Sequence, residues 1–193
     1  IQRGMDTALH PLGVASDGAN WLVVWFDYIS GTPTVLGRRV APDGTLLDAT
    51  PRTLLSGLVT YSTRVAYSSG VYLIVVSPQM SMLGTLTLST AGSHPSVGAS
   101  DSGFYVTYSA SSGGLRGVRI SPTGQVLDAG GGILIASDAT DQEWATVCFD
   151  GANWVVGYIV RTLFPRQDTF QVRRVSPAGV LQDATPIPIA SAQ

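Results

Sequence analysis

The feature that most constrains this chain is an internal repeat. Segments beginning at Val14, Val65, Val97 and Val147 each lead, seven residues on, to an aromatic: Trp21, Tyr72, Phe104 and Trp154. Four residues further stand Trp25, Val76, Tyr108 and Tyr158, again large and apolar. A second signature closes each unit: Arg39-Val40-Ala41-Pro42-Asp43-Gly44, Thr87-Leu88-Ser89-Thr90-Ala91-Gly92, Arg119-Ile120-Ser121-Pro122-Thr123-Gly124 and Arg174-Val175-Ser176-Pro177-Ala178-Gly179. Four copies shared over 193 residues have about 48 residues apiece. Periods of this length build solenoids and propellers, in which a unit cannot bury its own apolar faces and its neighbours must cover them.

Within a copy, the turn Asp17-Gly18-Ala19-Asn20, repeated as Asp150-Gly151-Ala152-Asn153, supplies residues that tolerate positive φ. The segments that follow, Trp21 to Phe26 and Trp154 to Tyr158, are apolar on both faces, so both faces need a cover. Helical periodicity with caps is absent. A third strand is expected at the Arg-Val-Ser-Pro turn and a fourth at Thr45 to Asp48 or Gln125 to Asp128. The reading is an all-β chain: a β-propeller, whole or half, of four blade-like repeats covering about 1–56, 57–92, 93–137 and 138–193. Copy two leaves no room for a fourth strand between Gly92 and Val97, so it is expected to have three strands or to borrow one.

These units resemble the propeller-like repeats of large secreted or surface proteins of high-GC bacteria. The resemblance is carried by Ser16-Asp17-Gly18-Ala19-Asn20-Trp21-Leu22-Val23-Val24-Trp25 with Gly37-Arg38-Arg39-Val40-Ala41-Pro42-Asp43-Gly44. It implies a fold and an extracellular or cell-surface setting, and it transfers no catalytic residue. Copy two, with Thr87 in place of the arginine and no proline, departs most.

Composition removes several functions. The chain has no lysine; its 11 basic residues are arginines facing 13 acidic ones, for a net charge of -2. Nucleic-acid binding and Schiff-base chemistry are therefore not expected. Its longest apolar runs, Trp21 to Phe26 and Val71 to Val76, are far too short for a helix that crosses a bilayer, so no membrane insertion is expected. One cysteine, Cys148, excludes an internal disulfide framework and is expected to be a buried small residue. The chain opens at Ile1 without a leader, as a processed or excised piece would.

Candidate chemistry gathers at one end of the repeat. His10 and His94 each precede a proline just before the anchor valine, differing by one residue in their distance to it; the other copies have Ser62 and Glu143-Trp144 nearby. In a propeller these positions surround the mouth of the central channel. Histidine titrates near neutrality, so His10 or His94 is the expected general base of an enzyme, with Glu143 beside them. The plainer reading makes His-Pro an inherited turn dipeptide. Two histidines and a glutamate only just reach the minimum for a metal, and no metal or other cofactor is expected. Trp144 is the tryptophan outside the core positions and so a stacking platform. Long loops from Asp27 to Leu36 and from Arg161 to Gln171 add Asp27, Tyr28, Arg161, Arg166 and Asp168 as ligand contacts.

Arg39, Arg119 and Arg174 keep a constant spacing to Asp48, Asp128 and Asp183. A three-residue turn would place the two on opposite faces, which disfavours a direct ion pair and leaves a role in spacing blades. The Asp-Gly turns lack the spaced oxygens of a calcium loop. No nucleophile elbow marks a serine.

The main functional expectation is a secreted bacterial binding or scaffold module that recognises a small-molecule, glycan or protein ligand through its loop face. The alternative is a hydrolase of ester or phosphoester bonds at the channel mouth, using His10, His94 and Glu143. Copies one and four are the most alike, as in Arg38-Arg39-Val40 against Arg173-Arg174-Val175 and Asp48-Ala49-Thr50-Pro51 against Asp183-Ala184-Thr185-Pro186. That likeness suits neighbours across a seam and favours a homodimer completing a larger propeller.

Overall fold

The computed structural model describes residues 10–57, 62–77, 80–82, 87–89, 92–111, 113–137, 145–163 and 166–192. The described residues are all β, in four antiparallel sheets of four strands, each a simple meander. The first holds β1 (His10–Ser16), β2 (Trp21–Ile29), β3 (Thr32–Val40) and β4 (Arg52–Ser56). The second holds β5 (Ser62–Ser68), β6 (Val71–Ser77), β7 (Met80–Met82) and β8 (Thr87–Ser89). The third holds β9 (Gly92–Ser100), β10 (Gly103–Ala110), β11 (Leu115–Ile120) and β12 (Ile133–Ala136). The fourth holds β13 (Thr146–Phe149), β14 (Trp154–Leu163), β15 (Arg166–Val175) and β16 (Ile187–Ala192).

The sheets stack face to face like propeller blades, with the first strands β1, β5, β9 and β13 in contact from each sheet to the next. Pleating sends alternate residues of each second strand to opposite faces. Leu22, Val24 and Phe26 pack against Ile74 and Val76, forming the core between the first two sheets. Leu73 and Val75 meet Phe104, Val106 and Tyr108 in the next core. Tyr105 meets Trp154, Val156 and Tyr158 in the last, its ring stacked on Trp154 at 5.5 Å. Four sheets thus enclose three cores. Among the described residues the first and fourth sheets share no comparable contact, so the arc is open.

The repeat places the strands differently from the sequence expectation. Thr45 to Asp48 touches the ladder only through a Val40–Leu46 bridge, and the fourth strand is β4, which returns to pair with Thr34 to Gly37. The cause is Asp48, whose carboxylate turns back to accept the Arg39 main-chain N–H at 2.9 Å and draws the chain out of register. Copy two does not lose a strand. Met80 to Met82 pairs with Val75 and Val76 as a short third strand, so Thr87 to Ser89 becomes the fourth. The long loops also prove to be mainly strand. Strands β2 and β3 run on to a two-residue turn, Ser30-Gly31, with φ of 53° and 79°, the mirror-image turn that matches strand twist.

Direct ion pairs, disfavoured by the turn argument, are present in all three copies. Arg39 Nη2 lies 2.8 Å from Asp48 Oδ1, and Arg119 and Arg174 stand 2.6 Å from Asp128 and Asp183. The turn does have three residues, closed by Gly44 N–H to Ala41 O and Ala41 N–H to Thr45 O, but the aspartate lies beyond the paired stretch and is not bound by its facing rule. Arg52 adds a second guanidinium to Asp48 at 2.7 Å. Blade spacing is visible too: Arg119 Nη1 donates to Pro177 O, and Arg173 Nη1 donates to Ile135 O in the preceding sheet.

Candidate functional site

In the first three sheets the first strand starts near the end of the second, because the two are antiparallel; His10 stands opposite Phe26, Ser62 opposite Ser77 and Gly92 opposite Ala110. The starts of β1, β5 and β9 therefore lie along one rim of the arc, together with the Ser30-Gly31 hairpin tip. His10, Ser62 and His94 share that rim. Side chains of His10, Ser62 and Arg166 are outside the description, and Glu143 and Trp144 lie outside the described residues.

The one-residue offset between the histidines has a structural counterpart. Both strands bulge near the His-Pro dipeptide, β1 just after it, between Pro11 and Gly13, and β9 across it, between Ser93 and Ser96. In β9 it is Ser93 that faces Ser109, the counterpart of Phe26, so His94 lies one step further along. His94 has φ 50°, the left-handed region, and is half-buried between the buried Gly92 and Pro95. A non-glycine residue in that region costs about 1–3 kcal/mol and persists where surrounding structure enforces it, commonly at functional positions. Bulges likewise re-aim side chains beside active sites. Sequence reasoning saw the offset but not the backbone state it produces.

The remaining candidates lie at the two ends of the arc. Asp27 sits on the face of β2 that carries Trp21, Val23 and Trp25, with Oδ1 accepting the Tyr28 N–H at 2.7 Å. Tyr28 turns the other way, into the first core, edge-on to Phe26 at 5.2 Å. Arg161 and Asp168 are direct cross-strand partners on β14 and β15. Their side chains join through Nε to Oδ1 at 2.9 Å and Nη2 to Oδ2 at 3.3 Å, leaving both partly exposed. This fork presents polar hydrogen-bonding groups of the kind that engage hydroxyl-rich ligands. One chain does not bring Asp27 together with this pair.

Among the described residues no group of three histidine, cysteine, aspartate or glutamate side chains could hold a metal. No described helix is long and apolar enough to cross a membrane. Cys148 is exposed, not buried. Its counterpart Gly98 is buried because the fourth sheet comes so close that a Cβ there would lie 3.5 Å from Cys148 Cα; among the described residues no sheet packs in the same way on Cys148.

No protein-family model and no curated protein sequence matches the chain. Its fold is that of solved carbohydrate-active enzymes. An α-L-arabinofuranosidase catalytic domain from Coprinopsis cinerea aligns over 94% of this chain and 71% of its own, at 12% identity and TM-score 0.52. An α-L-arabinofuranosidase from Podospora anserina, solved with cellotriose, aligns over 94% of this chain and 68% of its own, at 11% identity and TM-score 0.55. The leading expectation, a binding or scaffold module, is corrected here: the two solved structures that share the fold are described as α-L-arabinofuranosidases, not as binding modules.

Proposed function

We propose that this chain is a glycoside hydrolase of polysaccharides bearing arabinofuranosyl groups, working at the mouth end where the first strands begin. The supporting observation is the fold shared across 94% of the chain with two α-L-arabinofuranosidases. The bond attacked is then glycosidic rather than an ester or phosphoester. Such chemistry needs two carboxyl groups, one to protonate the leaving oxygen and one to act as nucleophile or to activate water. Glu143 is the carboxyl we assign to proton transfer. His94, fixed by its bulge, and His10 are assigned as hydrogen-bonding partners of the sugar, and Trp144 as the platform on which a ring stacks. The Arg161–Asp168 fork takes hydroxyl groups further out. The setting is extracellular or at the cell surface, where such polysaccharides occur and where the resemblance to secreted bacterial repeats points.

Release of arabinose from arabinan, arabinoxylan and 4-nitrophenyl α-L-arabinofuranoside, measured against ester and phosphoester panels, tests the reading. Sugar release that disappears in Glu143→Gln, with melting unchanged, is the expected result. Turnover of esters alone, or full glycosidase activity in Glu143→Gln, overturns it.

A further inference from the structure

The two ends of the arc are uncovered copies of faces that are buried everywhere else. In the three inner seams, the later blade offers its aromatic position and the residues two and four beyond it: Tyr72, Ile74 and Val76; Phe104, Val106 and Tyr108; Trp154, Val156 and Tyr158. Among the described residues no other sheet forms a core with Trp21, Val23 and Trp25 of the first blade. Trp21 is 39% exposed, whereas Trp154 is 3%. The fourth blade's other face is equally bare. Ile189 is 56% exposed, whereas its counterpart Ile135 is fully buried by the following blade. Both fold neighbours carry further chain beyond the part aligned with these four blades.

We propose that the fourth blade of one copy docks on the first blade of a second copy, head to tail, and that two such seams close a ring of eight blades. The repeat dictates the contacts, because each inner seam has the same register. Trp21 would occupy the place of Trp154 against the partner, with Ile189 packed as Ile135 is. Arg38 stands opposite Val23 as Arg173 stands opposite Val156, so Arg38 is set to donate to the partner's outer strand as Arg173 donates to Ile135 O. Charge also matches. Asp27 lies on the docking face of blade one, and Arg161 on that of blade four, at the same end and adjacent levels of the repeat. Docking brings the Asp27 carboxylate of one copy to the Arg161–Asp168 fork of the other. Ligand contacts kept apart in one chain then share a site, so the site is incomplete without the second copy.

Sedimentation of the full chain at tens of micromolar tests the proposal through mass, independently of hydrolysis. The wild type is expected to run as two chains. Trp21→Arg and Ile189→Arg, each changing an exposed residue, are expected to run as single chains with unchanged thermal melting. An equimolar mixture of the two variants regains a two-chain species, because one of its seams joins an unaltered blade four to an unaltered blade one. A single-chain wild type would assign these faces to some other blade and overturn the proposal. Dimers that survive both substitutions, or a mixture that stays single-chain, overturn the head-to-tail seam.

Discussion

Trp154 and Trp21 occupy the same position of the repeat, after the same Asp-Gly-Ala-Asn turn, and their surroundings are opposite. Asp17 and Asp150 cap these turns alike, each Oδ1 accepting the N–H groups two and three residues on. Beyond the turn, Trp154 stacks on Tyr105 and lies on Phe149 at 4.9 Å, while among the described residues Trp21 joins no core between sheets. Local sequence builds the strand; the neighbouring blade decides what the strand's side chains contribute to stability.

That contrast is open to measurement. Trp154→Ala is expected to lower the unfolding free energy by about 3–5 kcal/mol in urea titrations, as large-to-small core changes do. Trp21→Ala, measured at a dilution where the chain is single, should cost less than about 1 kcal/mol, since an exposed ring leaves no cavity. Equal losses would break the comparison.

Glycines sharpen it. A Cβ on Gly117, inside the arc, would run into the buried Tyr105 ring, so Gly117→Ala is expected to cost roughly 1–3 kcal/mol by overpacking. At Gly157 the obstacle is the outer edge of Phe170, 3.0 Å away on the uncovered face, and that ring can swing aside. Gly157→Ala should stay within about 0.5 kcal/mol of wild type in the same titration.

The repeated ion pairs give a graded, pH-dependent version. The Arg39 side chain, its main-chain N–H and Arg52 hold the Asp48 carboxyl well below the usual range; Arg174 lowers that of Asp183. A lowered folded-state value means stability that is complete above the unfolded carboxyl range, near about pH 4, and is lost as pH falls through and below it. Thermal melting followed from pH 7 to pH 2 should show this acid limb. Asp48→Asn should flatten it more than Asp183→Asn, because Asp48 serves two guanidinium groups. An unchanged limb in both variants would deny the pairs this role.

Smallest in stability, and simplest to read, is Cys148. In the folded single chain its thiol should react completely with a maleimide without denaturant, and slow labelling at low concentration would mean that the last face is covered.

Much of the fold was legible in the chain. The spacing from anchor valine to aromatic, the doubly apolar second strands and the glycine turns identify four β units and the positions that fill their seams. The third and fourth strands were less so. Asp48 pulls its segment out of the ladder by reaching a main-chain N–H nine positions earlier in the chain, which residue spacing does not reveal. Copy two hid its fourth strand because a compressed third strand shifted the assignment. At the candidate site, the His-Pro offset was visible, but the left-handed backbone of His94 arises from a bulge imposed by pairing with β10. The division follows from the range of the forces involved. Turn chemistry and alternation act between residues close in sequence, so the sequence alone determined that this chain builds blades. Burial, ion-pair geometry and the exposure of Trp21, Ile189 and Cys148 depend on surfaces from different repeats, and only the stacked sheets decided which faces are covered and which remain open.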